Sequence, residues 1–482
     1  MSEDKKNRQQ LACDYIHENY VASQQLRYDL IAQKIQIREE IIESFSTSGT
    51  SPSPTWRYIT NADINSMVCD CCMETGANVT AKEILTVLNA GSGYIPRIHP
   101  LRDYVLNLRP YTTDQPDWID FVASQVRVKA SPESATDRPK GLSERTACCQ
   151  TTMLLDRPYG ADRPMNLTSE ADLTLSEAHG LTPTSSQSER SASNADALWR
   201  TCFKKWFVAM VASWLYDNVV NHQVLVLIGK QGIFKTTWLE HLIPPHLRDY
   251  CCKLANATQL SKDDRLRIAE FGLINMDELD AMTPRELNSI KSVITASDVN
   301  ERAAYGYTKE RRVRLASFCA SSNNREFLTD ITGNRRWLPF EVESIQNPFF
   351  TTLPYNLMYA QARHLIEQDF NYWFDLEDIN TLEQHNESFR AQDSEEQLLP
   401  ILFDIPAEGR GEFMTTAQIS ERLVTYGNIK KPMSVSRLGM LLGQLGYKNV
   451  QRRINAIKAR GWIVYQRDSE EINSIKKLLA KN

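Results

Sequence analysis

The chain has 482 residues, 42% of them hydrophobic and 24% charged, with a formal net charge of −5. That length suggests about three domains on a prior of roughly 150 residues each, and the composition is that of a globular protein rather than a fibrous or disordered one. No run approaches the roughly 18 apolar residues of a membrane span, and the start Met1-Ser2-Glu3-Asp4-Lys5-Lys6 lacks a signal-peptide core, so a cytoplasmic protein with no membrane partner is expected.

The ten cysteines include the adjacent pairs Cys71-Cys72, Cys148-Cys149 and Cys251-Cys252, a poor layout for a disulfide framework. Free thiols are expected. Cys69-Asp70-Cys71-Cys72 has no second Cys-x-x-Cys or nearby Cys/His pair, which argues against a zinc site. The charge is unevenly spread. Residues 409–482 hold 14 Lys/Arg against 5 Asp/Glu, so this tail is +9 and the rest of the −5 chain is −14. A basic tail of this kind is the footprint of a nucleic-acid contact.

In chain order, residues 5–20 read as an amphipathic helix through Leu11, Tyr15 and Tyr20. Residues 26–31 and 34–38 read as two short strands joined by a tight turn, and 46–54 as a Ser/Thr/Gly/Pro-rich loop. Helical stretches are expected at 61–75, at 80–89 and again near 99–128, the last carrying Leu101, Tyr104, Val105, Trp118, Ile119, Phe121 and Val122. Residues 1–129 thus form a mainly helical N-terminal domain without a catalytic constellation. His99 reads as a structural residue rather than a ligand. Residues 130–194 turn Ser-, Thr- and Pro-rich and read as a flexible linker or insertion. Order returns with a helix from Ala195 whose Trp206, Phe207, Met210, Val211, Trp214 and Leu215 recur at three- and four-residue spacing.

That helix feeds the stretch on which the chain is organised. Val224–Ile228 are five consecutive apolar residues, the mark of a buried parallel strand. They lead into Gly229-Lys230-Gln231-Gly232-Ile233-Phe234-Lys235-Thr236-Thr237 and an apolar helix start at Trp238-Leu239. Strand, glycine turn and helix is the layout of a phosphate-binding P-loop. Gly229, Gly232, Lys235, Thr236 and Thr237 are the candidate ATP-binding residues, with Lys235 reaching the β/γ-phosphates and the Thr236 hydroxyl on Mg²⁺. Phe234 stands where the standard spacing puts a second glycine, so the backbone there must either take φ < 0 or bear strain.

About 40 residues on, the apolar run at 271–276 ends in Asp277-Glu278, acids placed to hold Mg²⁺ (Asp277) and polarise an attacking water (Glu278). A third apolar run, 313–320, ends in Ser321-Ser322-Asn323-Asn324, where an amide can stand between phosphate and water. Gly333-Asn334-Arg335-Arg336-Trp337 then sets two arginines in a short loop; an arginine can neutralise charge on a transferred phosphoryl, often from a neighbouring subunit.

Taken in this order, segment 224–340 resembles the virulence-associated protein E family, whose core is similar to the superfamily III helicases within the AAA+ ATPases. The motifs that carry the resemblance are 229–237, Asp277-Glu278-Leu279-Asp280, Ile290-Lys291, Arg302-Ala303-Ala304-Tyr305-Gly306, Ser321-Ser322-Asn323 and 333–337. More weakly, Ile98–Val105 resembles the segment preceding the ATPase. The resemblance implies an α/β fold: an AAA+ P-loop core with a parallel sheet over 195–398, after the helical domain. Lys235 and Thr236 look like the Walker A pair and Asp277 and Glu278 like Walker B. Asn323 is similar to the polar sensor, and Arg335 or Arg336 to the arginine finger of a homo-oligomeric ring. Lys291, Arg302, Tyr305, Tyr307 and Lys309 lie where superfamily III helicases carry a DNA-contacting hairpin. A basic and aromatic segment can track a phosphate backbone and stack on bases; a loop of solvated charges is the alternative.

The tail 399–482 reads as a winged-helix-like domain: a Thr-capped helix at 413–423, a Ser-capped helix at 434–445, and a basic hairpin from 447–453 and 459–466. Arg437, Lys448, Arg452, Arg453 and Arg460 are its candidate DNA contacts; a protein-binding winged helix is the other reading. The expectation is an ATP- and Mg²⁺-dependent DNA helicase or translocase, acting on single-stranded or forked DNA in replication of a phage or mobile element. The alternative is a nucleotide-switched DNA-binding regulator or loader that does not unwind.

Overall fold

The computed structural model describes residues 7–39, 55–90, 95–129, 194–254, 262–301, 310–328, 334–391, 393–406, 411–454 and 457–479. It divides into two compact units, residues 1–323 with 336–379, and residues 324–335 with 380–482. The segment read as a linker, 130–194, lies almost wholly outside the described residues.

In the first unit, α1 (Arg8–Ile16) opens on a capping box in which Asn7 and Gln10 exchange hydrogen bonds, and it runs on into a π-helical turn over His17–Val21. The strands β1 (Leu26–Asp29) and β2 (Lys34–Arg38) form the expected hairpin. They belong to a four-stranded sheet, completed by β3 (Trp56–Tyr58) and β4 (Arg97–Ile98) in the order β3-β2-β1-β4. The helices α2 (Asn61–Thr75) and α3 (Ala81–Ala90) pack on it around Ile64, Met67, Ile84 and Leu88. Cys69 on α2 is exposed while Cys71 is buried, so the two thiols face different surroundings.

The helix expected near 99–128 breaks into α4 (Pro100–Asn107), α5 (Trp118–Ala123) and a strand, β5 (Val126–Val128). Pro110 and Pro116 lie in the connection; a proline lacks the amide hydrogen and disfavours helix in the residue before it. The His99 ring caps α4, its Nδ1 accepting from the Arg102 amide at 3.1 Å.

The long helix α6 (Asn194–Leu215) buries Trp199, Phe203, Trp206, Phe207 and Trp214, each contributing about 1.5–3 kcal/mol of hydrophobic stabilisation as a large buried side chain. Their polar atoms are satisfied, Trp199 Nε1 donating to Ala123 O at 2.9 Å and Trp206 Nε1 to Phe318 O at 3.1 Å. The helix covers a six-stranded sheet built from β5, β6 (Val224–Ile228), β7 (Cys251–Leu254), β8 (Leu273–Met276), β11 (Ser317–Ser322) and β12 (Trp337–Ile345). Their order is β5-β12-β6-β11-β8-β7; β6 is parallel to β11 and β12, β8 to β11 and β7, and β5 alone is antiparallel. Between these strands run α7 (Lys235–His241), α8 (Lys262–Glu270) and α9 (Pro284–Ile294). The strands β9 (Asp298–Glu301) and β10 (Glu310–Val313) pair antiparallel as a separate ribbon.

The acidic stretch 365–398 takes in the end of α10 (Tyr355–Glu367), α11 (Leu376–Glu387) and the start of α12 (Ser394–Leu402). Asp369, at φ 54°, turns the chain out of α10.

In the second unit α12 is followed by β13 (Phe403–Asp404), β14 (Glu412–Met414), α13 (Thr416–Gly427), α14 (Val435–Gln444), β15 (Lys448–Ile454), β16 (Ile457–Gln466) and α15 (Ser469–Leu479). The strand β16 pairs antiparallel with β13, β14 and β15. Thr415 caps α13 in a box with Gln418, and Ser434 caps α14. The core gathers Leu399, Ile419, Leu423, Leu438, Leu442, Trp462 and Val464. No helix among the described residues is long and apolar enough to cross a membrane.

Candidate functional site

The carboxyl ends of β6, β11 and β8 bring together residues that lie up to about ninety positions apart in sequence. All five residues of β6 are buried, and the chain leaves it at Gly229, whose amide donates to Ser322 O at 3.1 Å. A Cβ at Gly229 would stand 2.9 Å from Val342 O, and Gly232 takes φ 86°, so both positions need glycine. Phe234 then caps α7 in the left-handed region, at φ 66° and ψ 19°, without a side-chain cap bond. The backbone therefore keeps the glycine-like conformation and bears the strain that a β-carbon adds there. The Phe234 ring meets Phe349 edge-on at 6.4 Å between centroids.

Lys235 is buried, and its ammonium donates to Gly229 O (2.7 Å), Lys230 O (2.8 Å) and Asn323 Oδ1 (3.1 Å). Burial pulls its pKa below the usual lysine value, against the pull of Asp277 and Asp280. Thr236 Oγ1 donates to Asp277 Oδ1 at 2.8 Å; Ser321 Oγ donates to the same oxygen and lies 3.2 Å from the Thr236 hydroxyl. Asp277 Oδ2 pairs with the Lys253 ammonium at 2.7 Å. Burial opposes ionisation of Asp277, but the hydrogen bonds from Lys253, Ser321 and Thr236 outweigh it and hold the carboxyl below its ordinary range.

Glu278, exposed, is also left-handed, at φ 55° and ψ 52°, and its amide donates to Asp277 Oδ1 at 3.2 Å. Asp280 accepts from the Asn323 amide (3.2 Å) and from Ser322 Oγ (3.3 Å), tying the tip of β11 to the turn after β8. Asn323 thus joins the lysine to the acidic turn: its side chain accepts from Lys235 while its backbone donates to Asp280.

Gly229, Gly232, Lys235, Thr236, Thr237, Asp277, Glu278 and Asn323 therefore lie along one sheet edge. Arg336 does not join them. It precedes β12, whose Trp337 is opposite Val224, whereas Glu341 is opposite Ile228. Arg336 thus stands at the amino end of the sheet, near His222, whose pKa burial lowers with help from Arg314 and Arg336. Five residues of strand, about 16 Å, separate that end from the turn. Arg335 is exposed and falls in the second unit. Lys291 sits half-buried in the last turn of α9. Arg302, Tyr305 and Lys309, with Tyr307, connect β9 to β10 and lie outside the described residues.

Three site residues escaped the sequence reading as individuals: Lys253, Ser321 and Asp280. Ser321 had a signal, since it lies near the end of β11 in the same Ser-Ser-Asn run as Asn323, two residues before it. Lys253 had none, because its neighbour in space is set by the pairing of β7 with β8.

In the second unit the predicted basic residues fall into two groups. Arg437 pairs with Asp393 at 2.7 Å, and the Arg452 guanidinium lies over the Phe413 ring at 5.6 Å. Lys448, Arg453 and Arg460 are exposed. Register sets Arg453 opposite Lys458 and Arg460 opposite Gln451, so three cations share one face of the hairpin. Like charges directly opposite each other destabilise a sheet unless an anion lies between them.

The fold and this edge define a mixed α/β protein with a lysine–threonine turn facing an ionised acid. Residues 186–391 match the family model of the virulence-associated protein E-like domain. Similar solved structures include the apo structure of the NrS-1 C-terminal region (residues 305–718), with 10% identity over 96% of this chain and 100% of that one, at a TM-score of 0.40. The A form apo structure of the same region gives 9% identity over 95% and 100%, also at 0.40. An A form of residues 305–718 gives 11% over 96% and 100%, at 0.38. No curated protein matches the chain.

Proposed function

We propose that the chain is an ATP-dependent DNA helicase or translocase, with an AAA+ P-loop core and a winged-helix-like C-terminal unit, serving replication of a phage or mobile element. The observation that carries this reading is the convergence of Lys235, Thr236, Asp277 and Asn323 at one edge of a parallel sheet in which β11 separates β6 from β8. Ligands of open α/β sheets bind outside the carboxyl ends of the strands. The turn amides and the Lys235 ammonium hold the phosphates of ATP. Thr236 and Asp277, hard oxygen donors with the acid ionised, would hold Mg²⁺, which neutralises phosphate charge when bound. Glu278, at the exposed strand end, orients and deprotonates the attacking water. Asn323 reports phosphate occupancy to the acidic turn, since it touches both Lys235 and Asp280.

Arg336, remote from its own turn, suits a finger serving a neighbouring subunit, with Arg335 beside it; a ring of like chains follows from that role. The 302–309 connection with Lys291, and Arg437 with the hairpin cations Lys448, Arg452, Arg453 and Arg460, are the proposed DNA contacts. The order α12, β14, α13, α14, β15, β16 supports the winged-helix reading of that unit.

DNA-stimulated ATP hydrolysis and strand displacement on 3′- and 5′-tailed forks test the motor. Both activities are expected to vanish in Lys235→Ala and Glu278→Gln; unwinding that persists in both variants rules the mechanism out. The second reading, a nucleotide-switched regulator or loader without unwinding, is favoured by one observation, the strained Phe234 in the phosphate turn. Tight ATP binding with no displacement from either fork selects it.

A further inference from the structure

Asp277 has partners of two kinds. Its Oδ1 takes hydroxyl hydrogen bonds from Thr236 and Ser321, and the nucleotide reading uses that side. Its Oδ2 is taken by the Lys253 ammonium at 2.7 Å, and nothing in that reading calls for a lysine there. Lys253 is on β7, the outer strand of the sheet, opposite Asn275 on β8. In-register partners share a sheet face and so do alternate residues along a strand, which brings Lys253 and Asp277 to the same side. The lysine side chain is 49% exposed and that of Asp277 18%, so the cation closes the acid off on its solvent side.

We propose that Lys253 is a built-in competitor for the divalent cation at Asp277, filling the second carboxylate oxygen until metal and nucleotide arrive together. The inference rests on the reading of Thr236 and Asp277 as metal ligands. A lysine ammonium is a compact point charge on a flexible stem. It can occupy the carboxylate as a monovalent stand-in and then swing into water at little cost. A divalent cation and the ammonium repel each other, so the metal binds Asp277 fully only after the lysine leaves. Displacing an ion pair this exposed weakens metal binding by a factor of about two to five. Nucleotide phosphates add further oxygen ligands to the ion and offset that loss. The lysine therefore biases the site toward loading metal with nucleotide rather than metal alone. A lysine serving only to fasten the sheet edge would leave metal affinity untouched.

Mn²⁺ binding to the full chain, followed by electron paramagnetic resonance with and without a non-hydrolysable ATP analogue, separates these roles. Lys253→Met and Lys253→Gln are each expected to bind Mn²⁺ about two- to fivefold more tightly than wild type without nucleotide, while Lys253→Arg, which keeps the charge, does not. Asp277→Asn is expected to abolish the binding. If Asp277→Asn loses Mn²⁺ but both neutral Lys253 variants bind it no more tightly than wild type, the competitor role is overturned and the metal site stands. If Asp277→Asn binds Mn²⁺ as wild type does, the metal-ligand reading fails and this proposal fails with it.

Discussion

Phe234 offers a test in which sign matters more than size. A non-glycine residue in the left-handed region costs about 1–2 kcal/mol, and Phe234 sits there at φ 66°. Replacing it with glycine removes that cost and returns about 0.4–1 kcal/mol through the freer unfolded chain. Replacing it with alanine keeps the strain. Both variants lose the edge contact with Phe349, so that term cancels between them. The expected order is therefore Phe234→Gly above Phe234→Ala, by about 0.5–1 kcal/mol, the reverse of the usual preference for alanine. In a chain of this length that difference is a shift of roughly 0.5–1 °C in thermal midpoint. Differential scanning fluorimetry of the two variants side by side, without nucleotide, reads it. An alanine variant as stable as the glycine variant would refute the left-handed conformation at Phe234 and the strain argued from it. Fluorescent ATP-analogue titration of the same pair then shows whether relaxing the turn tightens or loosens phosphate binding.

Other outcomes follow from the same geometry. The Asp277 carboxyl is held below its ordinary pKa, so it adds stability above about pH 4 and loses that contribution as pH falls through its lower folded value. The gap in thermal midpoint between wild type and Asp277→Asn should therefore shrink on going from pH 6 to below pH 4; a constant gap contradicts the assignment. The buried Arg314 guanidinium donates to Asn221 O (2.7 Å), Ala316 O (3.0 Å), Ala296 O (3.3 Å) and Ile294 O. Arg314→Met strips these carbonyls of their donor and should cost about 2–4 kcal/mol, read as a lowered thermal midpoint. On the basic hairpin, Arg460→Ala should lower the slope of log affinity for DNA against log salt by about 1. Arg437→Ala should lower it less, because Asp393 already neutralises that guanidinium; fluorescence anisotropy across a salt series compares them.

The parts of the site that were legible in sequence are those whose geometry is local. Val224–Ile228 is apolar on both faces and runs into glycines, so strand and turn follow from neighbouring residues. The strand ending at Asp277 announces itself the same way. Strand order is not local. Nothing in the sequence near 317–322 says that this strand inserts between β6 and β8, yet that insertion is what brings Asn323 to Lys235 and Ser321 to Asp277. Lys253 was invisible for the same reason. Helix continuity near 99–128 was overread, because apolar spacing stays favourable there while Pro110 and Pro116 break the backbone pattern that spacing assumes.

The strand β5 comes from before the long segment 130–193, yet it pairs with β12 through Val128–Val342 and Val126–Ile345, with Arg127 bridged to Glu343 at 2.8 Å. Further upstream, Asp29, fully buried, accepts from Tyr58 at 2.9 Å and from Tyr250 at 2.5 Å. A fragment cut to begin at Asn194 would lose both attachments. It would bare the outer edge of β12, a row of unpaired amides and carbonyls ready to recruit a strand from another chain, and leave the Tyr250 hydroxyl without its carboxylate. The first 129 residues thus act as selvedge to the sheet: trimmed away, the weave is expected to aggregate before its chemistry can be assayed.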